Sequence, residues 1–329
     1  MMKHITKYIV FLLLGIGMIS CQQDQKLRKV KIGLSHSQNH SFTQALQHFD
    51  SLVQVRLPNR FDIEIYHSAI LGSEKEMQEM LTLGTIEGAV TGLLNNYDPV
   101  FAIFEMPYLY QDRDHVFKVF NGELIRKVAK PLEEKGIVFS GFYENGFRHL
   151  TNSVKPITQP TELEGMMIRT PENPAYLETF KAMKVIPTPM SFSELYTALM
   201  QNVVDGQENP LQNIWYGRLY EAQDHIALTG HIYNAAYVLF SKRFWDSLNE
   251  EEKTIFRECV AASTLWQLAY MKQLDLSLEK QLKEKGMNFT NPDRAAFEAA
   301  SQPAYDAMYN LLGERAKNIV QEIKQLNEE

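Results

Sequence analysis

The chain has 329 residues, which at roughly 150 residues per domain indicates two domains rather than one small core. Its composition, 45% hydrophobic and 22% charged, is that of an ordinary globular protein. The formal net charge of −7 argues against nucleic-acid binding, which needs a basic face, but a locally positive pocket could still hold an anionic small molecule.

The N-terminus has the pattern of a secretory signal peptide. Lys3 and Lys7 form a short basic region, an almost unbroken apolar run covers 8–18, and Ser20 is a small residue directly before Cys21. This ending resembles a lipoprotein signal, and processing before Cys21 would leave a lipid-modified cysteine. The alternative is an uncleaved membrane anchor, but the apolar run is shorter than the roughly 20 residues that a spanning helix needs.

The sequence therefore predicts a lipoprotein signal peptide over 1–20, a polar tether over 21–26, and a periplasmic protein attached to the membrane through Cys21. The second cysteine, Cys259, lies in an apolar helical pattern and is predicted to be a buried thiol. A disulfide between the two cysteines is not expected, because Cys21 is the lipid attachment residue.

After the tether, strand and helix patterns alternate. Runs that alternate apolar and polar residues predict half-buried strands, and apolar residues three and four positions apart predict amphipathic helices. This β-α-β-α-β order implies a sheet with parallel pairs and helices on its faces. The predicted strands are 28–34, 61–66 and 86–91, and the predicted helices are 41–57 and 73–83.

The middle of the chain continues with shorter elements. A break at Asn121-Gly122 divides 112–135 into two helices, and Ser191 with Glu194 has the spacing of a capping box that begins a helix. The further predicted strands are 137–143, 166–169 and 236–241, and a further helix is 176–183.

A long helix is predicted near the C-terminus. No glycine or proline occurs from His231 to Lys285, and Ser247 with Glu250 has capping-box spacing. A single helix from there to Lys285 would be about 54 Å long, which requires it to bridge two domains or to bend. The alternative is two helices with a break that the sequence does not signal.

The sequence lacks the common enzyme motifs: it has no glycine-rich phosphate loop, HExxH, CxxC or GxSxG. Three histidines, His36, His40 and His48, lie near one another, but their spacing does not place three ligands on one helical face. We therefore expect no metal, no cofactor and no enzymatic activity.

Arg169 is the residue with the clearest chemical implication. It ends an apolar strand, so its side chain is expected to be buried, and a buried guanidinium needs a partner because desolvating an unpaired charge is costly. A distant Asp or Glu could supply a salt bridge, or a ligand carboxylate could pair with the guanidinium bidentately. The residues alone leave both possibilities open.

Several segments, in order, resemble the substrate-binding subunits of tripartite ATP-independent periplasmic (TRAP) transporters. The likeness covers nearly the whole chain after the tether, and the last three segments together are highly specific. These segments are IGLSHS, ILGSEKEM followed by LGTIEGAV, MPYLY, NGFRHLTNS, LEGMMIRTP, PMSFSELYTAL and VVDGQENP.

The resemblance implies a ligand site. Arg169 matches the arginine that pairs with the ligand carboxylate, Arg148 a second cation, Asn209 an amide at the same acidic end, and Phe192 an aromatic packed on the ligand. Each residue also has a structural alternative: Arg148 could tie a strand to a loop, and Phe192 could belong to the core. Looser matches suggest Ser35 and Glu74 as readers of ligand hydroxyls and His36 and Trp215 as pocket neighbours, although Trp215 is also a candidate for simple packing.

The fold that the resemblance implies is α/β, with two lobes, like periplasmic binding proteins of the type II-like class, and a long helix spanning both. Lobe one would comprise 27–146 plus 235–274, and lobe two 147–234 plus 275–329. Ligand would bind in the cleft between the lobes and stabilise their closure.

The implied function is capture of an organic acid, such as a uronate, aldonate or keto-gulonate, for delivery to TRAP membrane permease subunits. A sialic acid is disfavoured because 88–95 contains no Glu or Arg. The alternatives are a C4-dicarboxylate-binding TRAP subunit, a binding protein of an ATP-driven importer, an extracytoplasmic enzyme acting on acidic sugars, and a lipid-tethered sensor partner.

Overall fold

A computed structural model describes residues 27–327, which form two β-sheets with helices packed around them. The eleven strands of this part of the chain are β1 (Arg28–Leu34), β2 (Phe61–Tyr66), β3 (Gly88–Thr91), β4 (Ile137–Phe147), β5 (His149–Asn152), β6 (Met167–Thr170), β7 (Ile186–Pro189), β8 (Gly206–Asn209), β9 (His225–Ala227), β10 (Tyr233–Ser241) and β11 (Asn288–Thr290).

The α-helices are α1 (Ser41–Arg56), α2 (Glu74–Leu83), α3 (Arg113–Asn121), α4 (Glu123–Ala129), α5 (Pro174–Ala182), α6 (Phe192–Met200), α7 (Leu211–Tyr216), α8 (Lys242–Asp246), α9 (Glu250–Glu284), α10 (Arg294–Ser301) and α11 (Pro303–Gln325). Four short 3-10 helices cover Pro99–Glu105, Lys130–Lys135, Pro160–Leu163 and Leu219–Glu221.

Each sheet forms the centre of one lobe. The first has the order β2-β1-β3-β10-β4, with β1 parallel to both β2 and β3 and with β10 antiparallel to β3 and β4. The second has the order β11-β9-β5-β8-β6-β7, with β6 parallel to β7 and β8. The predicted two-lobed α/β architecture is confirmed, including the parallel pairs of the opening β-α-β-α-β segment.

Three segments pass from one lobe to the other. β4 continues almost directly into β5, the chain returns between β9 and β10, and α9 extends along both lobes. Helix α9 packs Phe256 and Val260 into the core under the first sheet, and Met271 and Leu278 into a cluster of the second lobe. The prediction of one long helix is confirmed: α9 has 35 residues, which makes it about 52 Å long.

The start of α9 differs from the prediction. Asn249, not Ser247, is the N-cap, and it forms a capping box with Glu252. Ser247 instead ends the preceding helix, and its hydroxyl donates to the carbonyl of Phe244. The predicted pairing of Ser247 with Glu250 is therefore wrong by two residues, because the Ser247 side chain is used by the turn before the helix.

The last helix, α11, packs on the 3-10 helix Pro99–Glu105 of the first lobe and also on α5. Met308 and Val320 belong to the same hydrophobic cluster as Phe104 and Phe120, and the Tyr305 hydroxyl donates to the Pro107 carbonyl at 2.9 Å. The exact lobe boundaries that the sequence suggested stay a prediction.

Two further predictions concern the cysteines and the membrane. Cys259 is a buried free thiol, as expected. Between residues 27 and 327, no helix combines the length and the apolar character needed to cross a bilayer. The predicted signal peptide 1–20 and the lipid attachment residue Cys21 lie outside the described residues.

Candidate ligand-binding cleft between the lobes

A cleft of about 700 Å³, part of it open to solvent, lies where the two lobes meet. Its walls come from the loop after β1, the start of α2, the carboxyl ends of β6 and β8, and the start of α6. Seven of the eight predicted ligand-binding residues line this cleft: Ser35, His36, Glu74, Arg148, Arg169, Phe192 and Asn209.

The eighth, Trp215, does not line the cleft. Its ring stacks on Tyr220 with the centroids 5.2 Å apart, at the edge of the second-lobe hydrophobic cluster. Trp215 follows the predicted site closely in sequence, but α7 directs it toward this packing contact.

Arg169 lies on β6, a short strand between β7 and β8. It is 2% exposed, and its Nε and Nη2 donate to the Met190 carbonyl at 3.0 and 2.6 Å. Within residues 27–327 it makes no ion pair with a carboxylate. Burial lowers the pKa of Arg169 to about 10, so the guanidinium is still charged at neutral pH. The site thus contains a desolvated cation, the Arg169 guanidinium, whose hydrogen bonds within the protein go to a neutral carbonyl.

Arg148, also 2% exposed, is in a different situation because it has a native partner. Its Nε and Nη2 donate to the two carboxylate oxygens of Glu208, with Nη2 at 2.8 Å from Oε1, and Nη2 also donates to the Glu208 carbonyl. Its guanidinium stands 5.2 Å from the centre of the Tyr176 ring. Burial would raise the pKa of Glu208, but Arg148 and the nearby His231 hold it below its ordinary value.

Asn209 connects Arg148 to the first lobe through a series of hydrogen bonds. Its Oδ1 accepts from Arg148 Nη2 at 3.1 Å and from Asn213 Nδ2 at 2.8 Å. Asn213 Oδ1 in turn lies 2.8 Å from His40 Nε2, on the first lobe. Because the backbone amide of Phe42 donates to His40 Nδ1, the proton of the neutral ring is on Nε2. Burial lowers the pKa of His40 to about 3, so the ring stays neutral.

The first-lobe wall is built around Glu74, at the first turn of α2. Its carboxylate accepts from the Ser35 hydroxyl at 3.0 Å, the Thr91 hydroxyl at 2.6 Å and the Gly92 backbone amide at 3.0 Å. These three donors fix the orientation of the Glu74 carboxylate. Its remaining lone pairs can accept hydrogen bonds from a molecule in the cleft.

An aromatic contact closes one side of the cleft. His36, from the first lobe, stacks on Phe192, from the second, with centroids 5.0 Å apart and an interplanar angle of 21°. Burial, followed by the nearby His40 and Arg148, lowers the pKa of His36 well below its ordinary value. The contact therefore behaves as the packing of two neutral rings across the lobes.

Residues 32–311 match the family described as bacterial extracellular solute-binding protein, family 7. The chain belongs to this family. The match covers most of the chain, and it confirms the resemblance to TRAP solute-binding subunits that the sequence segments indicated.

Several relatives of this family 7 protein match it over most of their length. A solute-binding protein of Verminephrobacter eiseniae is 34% identical over 277 residues, 83% of each chain. A TRAP periplasmic solute-binding protein from Polaromonas sp. JS666, bound to D-erythronate, is 33% identical with a TM-score of 0.86, covering 90% of this chain and 98% of that one. One from Haemophilus influenzae RdAW, with bound L-gulonate, is 30% identical with a TM-score of 0.87, covering 91% and 99%. These neighbours are solute-binding transport proteins.

Sequence reasoning missed several polar residues of the site. Glu208, Glu105, Asn145 and Asn234 are all at most 4% exposed, and the last three line the cleft. Glu208 and Asn145 lie inside the quoted segments DGQENP and NGFRHLTNS, directly beside Asn209 and close to Arg148. Their position next to two predicted ligand contacts, inside these segments, was the available signal.

Proposed function

We propose that this family 7 protein captures a sugar acid in the interlobe cleft and delivers it to TRAP membrane permease subunits. The observation that carries the proposal is the Arg169 guanidinium, buried and charged, which pairs with no acid in the described part of the chain. A ligand carboxylate would supply the missing counter-ion and accept two parallel N–H donors. Asn209 and the Arg148 side chain border the same acidic end.

A polyhydroxy monocarboxylate fits the remainder of the cleft better than a dicarboxylate. Three glutamates line it, of which Glu74 and Glu105 are the less exposed and Glu172 is exposed. Ligand hydroxyls can donate to such carboxyl oxygens, whereas a second ligand carboxylate cannot donate and would be repelled by an ionised glutamate. Of the other lining cations, Arg148 is neutralised by Glu208 and Lys75 is exposed. The D-erythronate and L-gulonate bound in the two structural neighbours are acids of this class.

Binding is coupled to the lobe interface. The His36–Phe192 stack, the bond from Asn95 Nδ2 to the Glu172 carbonyl at 3.1 Å, and the cleft itself all involve both lobes. A ligand that contacts both walls stabilises the closed arrangement, and exclusion of water strengthens its pair with Arg169. Capture of this kind needs no bond making or breaking, so we propose a binding protein and not an enzyme.

Attachment to the membrane is also part of the proposal. A lipid on Cys21 would keep the protein beside its permease, with residues 22–26 as the tether. We expect Cys21→Ser to move the protein from the membrane fraction to the soluble extracytoplasmic fraction. If the serine variant still sediments with membranes as the unchanged protein does, the lipid anchor is excluded.

A thermal unfolding screen tests the ligand class. L-gulonate or D-erythronate at 100 times its dissociation constant should add about 2.7 kcal/mol to the free energy of unfolding, because the ligand binds only the folded state. Succinate at the same concentration should produce little shift. A shift with succinate alone would replace the sugar acid by a C4-dicarboxylate, and chromatographic conversion of the added acid would favour the enzyme alternative.

A further inference from the structure

A β-bulge turns Asn145 into the cleft. Along the β4–β10 pair, Asn234 is opposite Gly146 and Ala235 is opposite Glu144, so Asn145 is an extra residue without a partner in the ladder. Gly146 has φ +114°, a conformation that favours glycine, and it completes the irregularity. Bulges often re-aim a side chain beside a functional site. Asn145 is 4% exposed and lines the cleft.

The amide of Asn145 is the last member of a hydrogen-bonded chain along the cleft floor. The chain begins at Asn173, whose Oδ1 accepts from the Ala175 backbone amide and whose Nδ2 donates to Glu105 at 3.0 Å. The other oxygen of Glu105 accepts from Asn234 Nδ2 at 2.8 Å. Asn234 Oδ1 then accepts from Asn145 Nδ2 at 2.6 Å.

The direction of this chain is fixed at its start. A backbone amide can only donate, so Asn173 must turn its oxygen to that amide and its nitrogen to Glu105. Burial raises the pKa of Glu105 to about 8. Above that pH the ionised Glu105 accepts on both oxygens, so Asn234 presents its nitrogen to the carboxylate and its oxygen to Asn145. Asn145 is thereby left with its carbonyl oxygen, Oδ1, as the end of the chain. No group among residues 27–327 donates to that buried oxygen.

We infer that Asn145 Oδ1 is a specificity-determining acceptor that takes a hydrogen bond from a hydroxyl of the bound acid. The inference rests on the proposed function, since it assumes that Arg169 holds the carboxylate of the same molecule. A buried acceptor without a donor costs free energy, and a ligand hydroxyl removes that cost. A carboxylate or an aliphatic carbon at the same position cannot donate and leaves the cost in place.

The chain therefore acts as a selectivity device. A site built to hydrogen-bond a hydroxyl discriminates strongly against analogues that lack it, because its own polar group is then left unpaired. Asn145 favours hydroxylated monocarboxylates over both dicarboxylates and unsubstituted fatty acids. Glu105 and Asn234 are positioning residues: they set which atom of Asn145 faces the ligand.

Calorimetric titration with L-gulonate and hexanoate, six-carbon acids with and without hydroxyls, tests the assignment. We expect Asn145→Ala to weaken L-gulonate binding about tenfold or more and to leave the weak binding of hexanoate within about twofold. The exposed Asn288→Ala is the matched control and should bind both acids as the unchanged protein does. Thermal unfolding without ligand verifies that each variant is folded.

Glu105→Gln provides a second variant, which keeps a hydrogen-bonding side chain of the same size in the cleft floor. Asn173 still needs an oxygen at position 105, so the new amide nitrogen faces Asn234, and the amides of Asn234 and Asn145 both reverse. Asn145 then presents N–H groups to the cleft. At pH 9, where Glu105 is ionised in the unchanged protein, we expect the ratio of L-gulonate to succinate affinity to fall about tenfold.

The outcomes separate the two claims. If the unchanged protein binds neither L-gulonate nor D-erythronate, the proposed function fails. If it binds L-gulonate but Asn145→Ala, folded, binds it equally tightly, or if Glu105→Gln leaves the affinity ratio unchanged, only the role of Asn145 is overturned.

Discussion

Replacing Arg169 by alanine should abolish binding of the sugar acid while the protein remains folded. Truncating one partner of a buried, hydrogen-bonded charge pair costs about 2–5 kcal/mol, which corresponds to a loss of affinity of roughly thirtyfold or more. Here the partner is the ligand carboxylate itself, held in a closed cleft where the interaction is strong. Calorimetric titration with L-gulonate measures the loss directly.

Stability without ligand should respond very differently. Arg169 donates only to the Met190 carbonyl, and no carboxylate of residues 27–327 depends on it for charge balance. Alanine removes a desolvated cation and leaves one carbonyl oxygen that can turn to water in the open cleft. We expect the free energy of unfolding to change by no more than about 1–2 kcal/mol.

Two control variants sharpen this result. Arg169→Lys keeps the charge but loses the planar fork, so its affinity should lie between those of the unchanged protein and the alanine variant. Arg126→Ala removes an exposed arginine outside the cleft and should leave affinity unchanged. Unaltered L-gulonate binding by Arg169→Ala would remove the capture mechanism.

Elements with a regular apolar pattern could be predicted from the sequence. The strands Arg28–Leu34 and Phe61–Tyr66 were predicted to the residue, because apolar and polar residues alternate along each. The long helix was visible because the segment contains no residue that interrupts a helix. Its exact start was not, because serine and asparagine both cap helices and only the fold decides which is used.

Strand β8 shows why part of the site could not be predicted. Its residues Gly206–Asn209 are all buried, but three of the four are polar, and their side chains bond polar groups of other segments. A pattern search for alternating apolar residues gives no signal there. The partners of Glu208 and Gln207, Arg148 and Thr151, lie 60 and 56 residues earlier in the chain.

Which of the two buried arginines pairs with a protein carboxylate is another property that could not be predicted from the sequence. The sequence predicted that Arg169 is buried, from the apolar residues before it, and left open whether a distant acid pairs with it. Glu208 lies closer in space to Arg148 than to Arg169 because β5 and β8 are antiparallel neighbours with His149 opposite Asn209. Strand pairing thus assigns the acid to Arg148 and leaves Arg169 without a carboxylate partner within residues 27–327.

Replacing Glu208 by glutamine should cause the largest loss of stability. The substitution leaves the Arg148 charge buried without a counter-ion, and removing one partner of a buried pair costs about 3–5 kcal/mol. His231, whose Nε2 lies 3.3 Å from Glu208, would lose its acidic neighbour as well. Denaturant unfolding without ligand measures the effect.

Glu279→Gln is the matched control, because Glu279 pairs with Lys283 at 2.6 Å on the exposed part of α9. Its loss should change the free energy of unfolding by no more than about 0.5 kcal/mol. Equal, small effects of both glutamine substitutions would contradict a buried, energetically coupled Arg148–Glu208 pair.

The Glu208 variant is therefore expected to lose stability, whereas the Arg169 variant is expected to lose ligand affinity. Two arginines of equal burial, 2% exposed each, differ in whether their counter-ion belongs to the protein. Loss of the native counter-ion destabilises the fold, whereas loss of the cation without one removes only the interaction that a ligand would make.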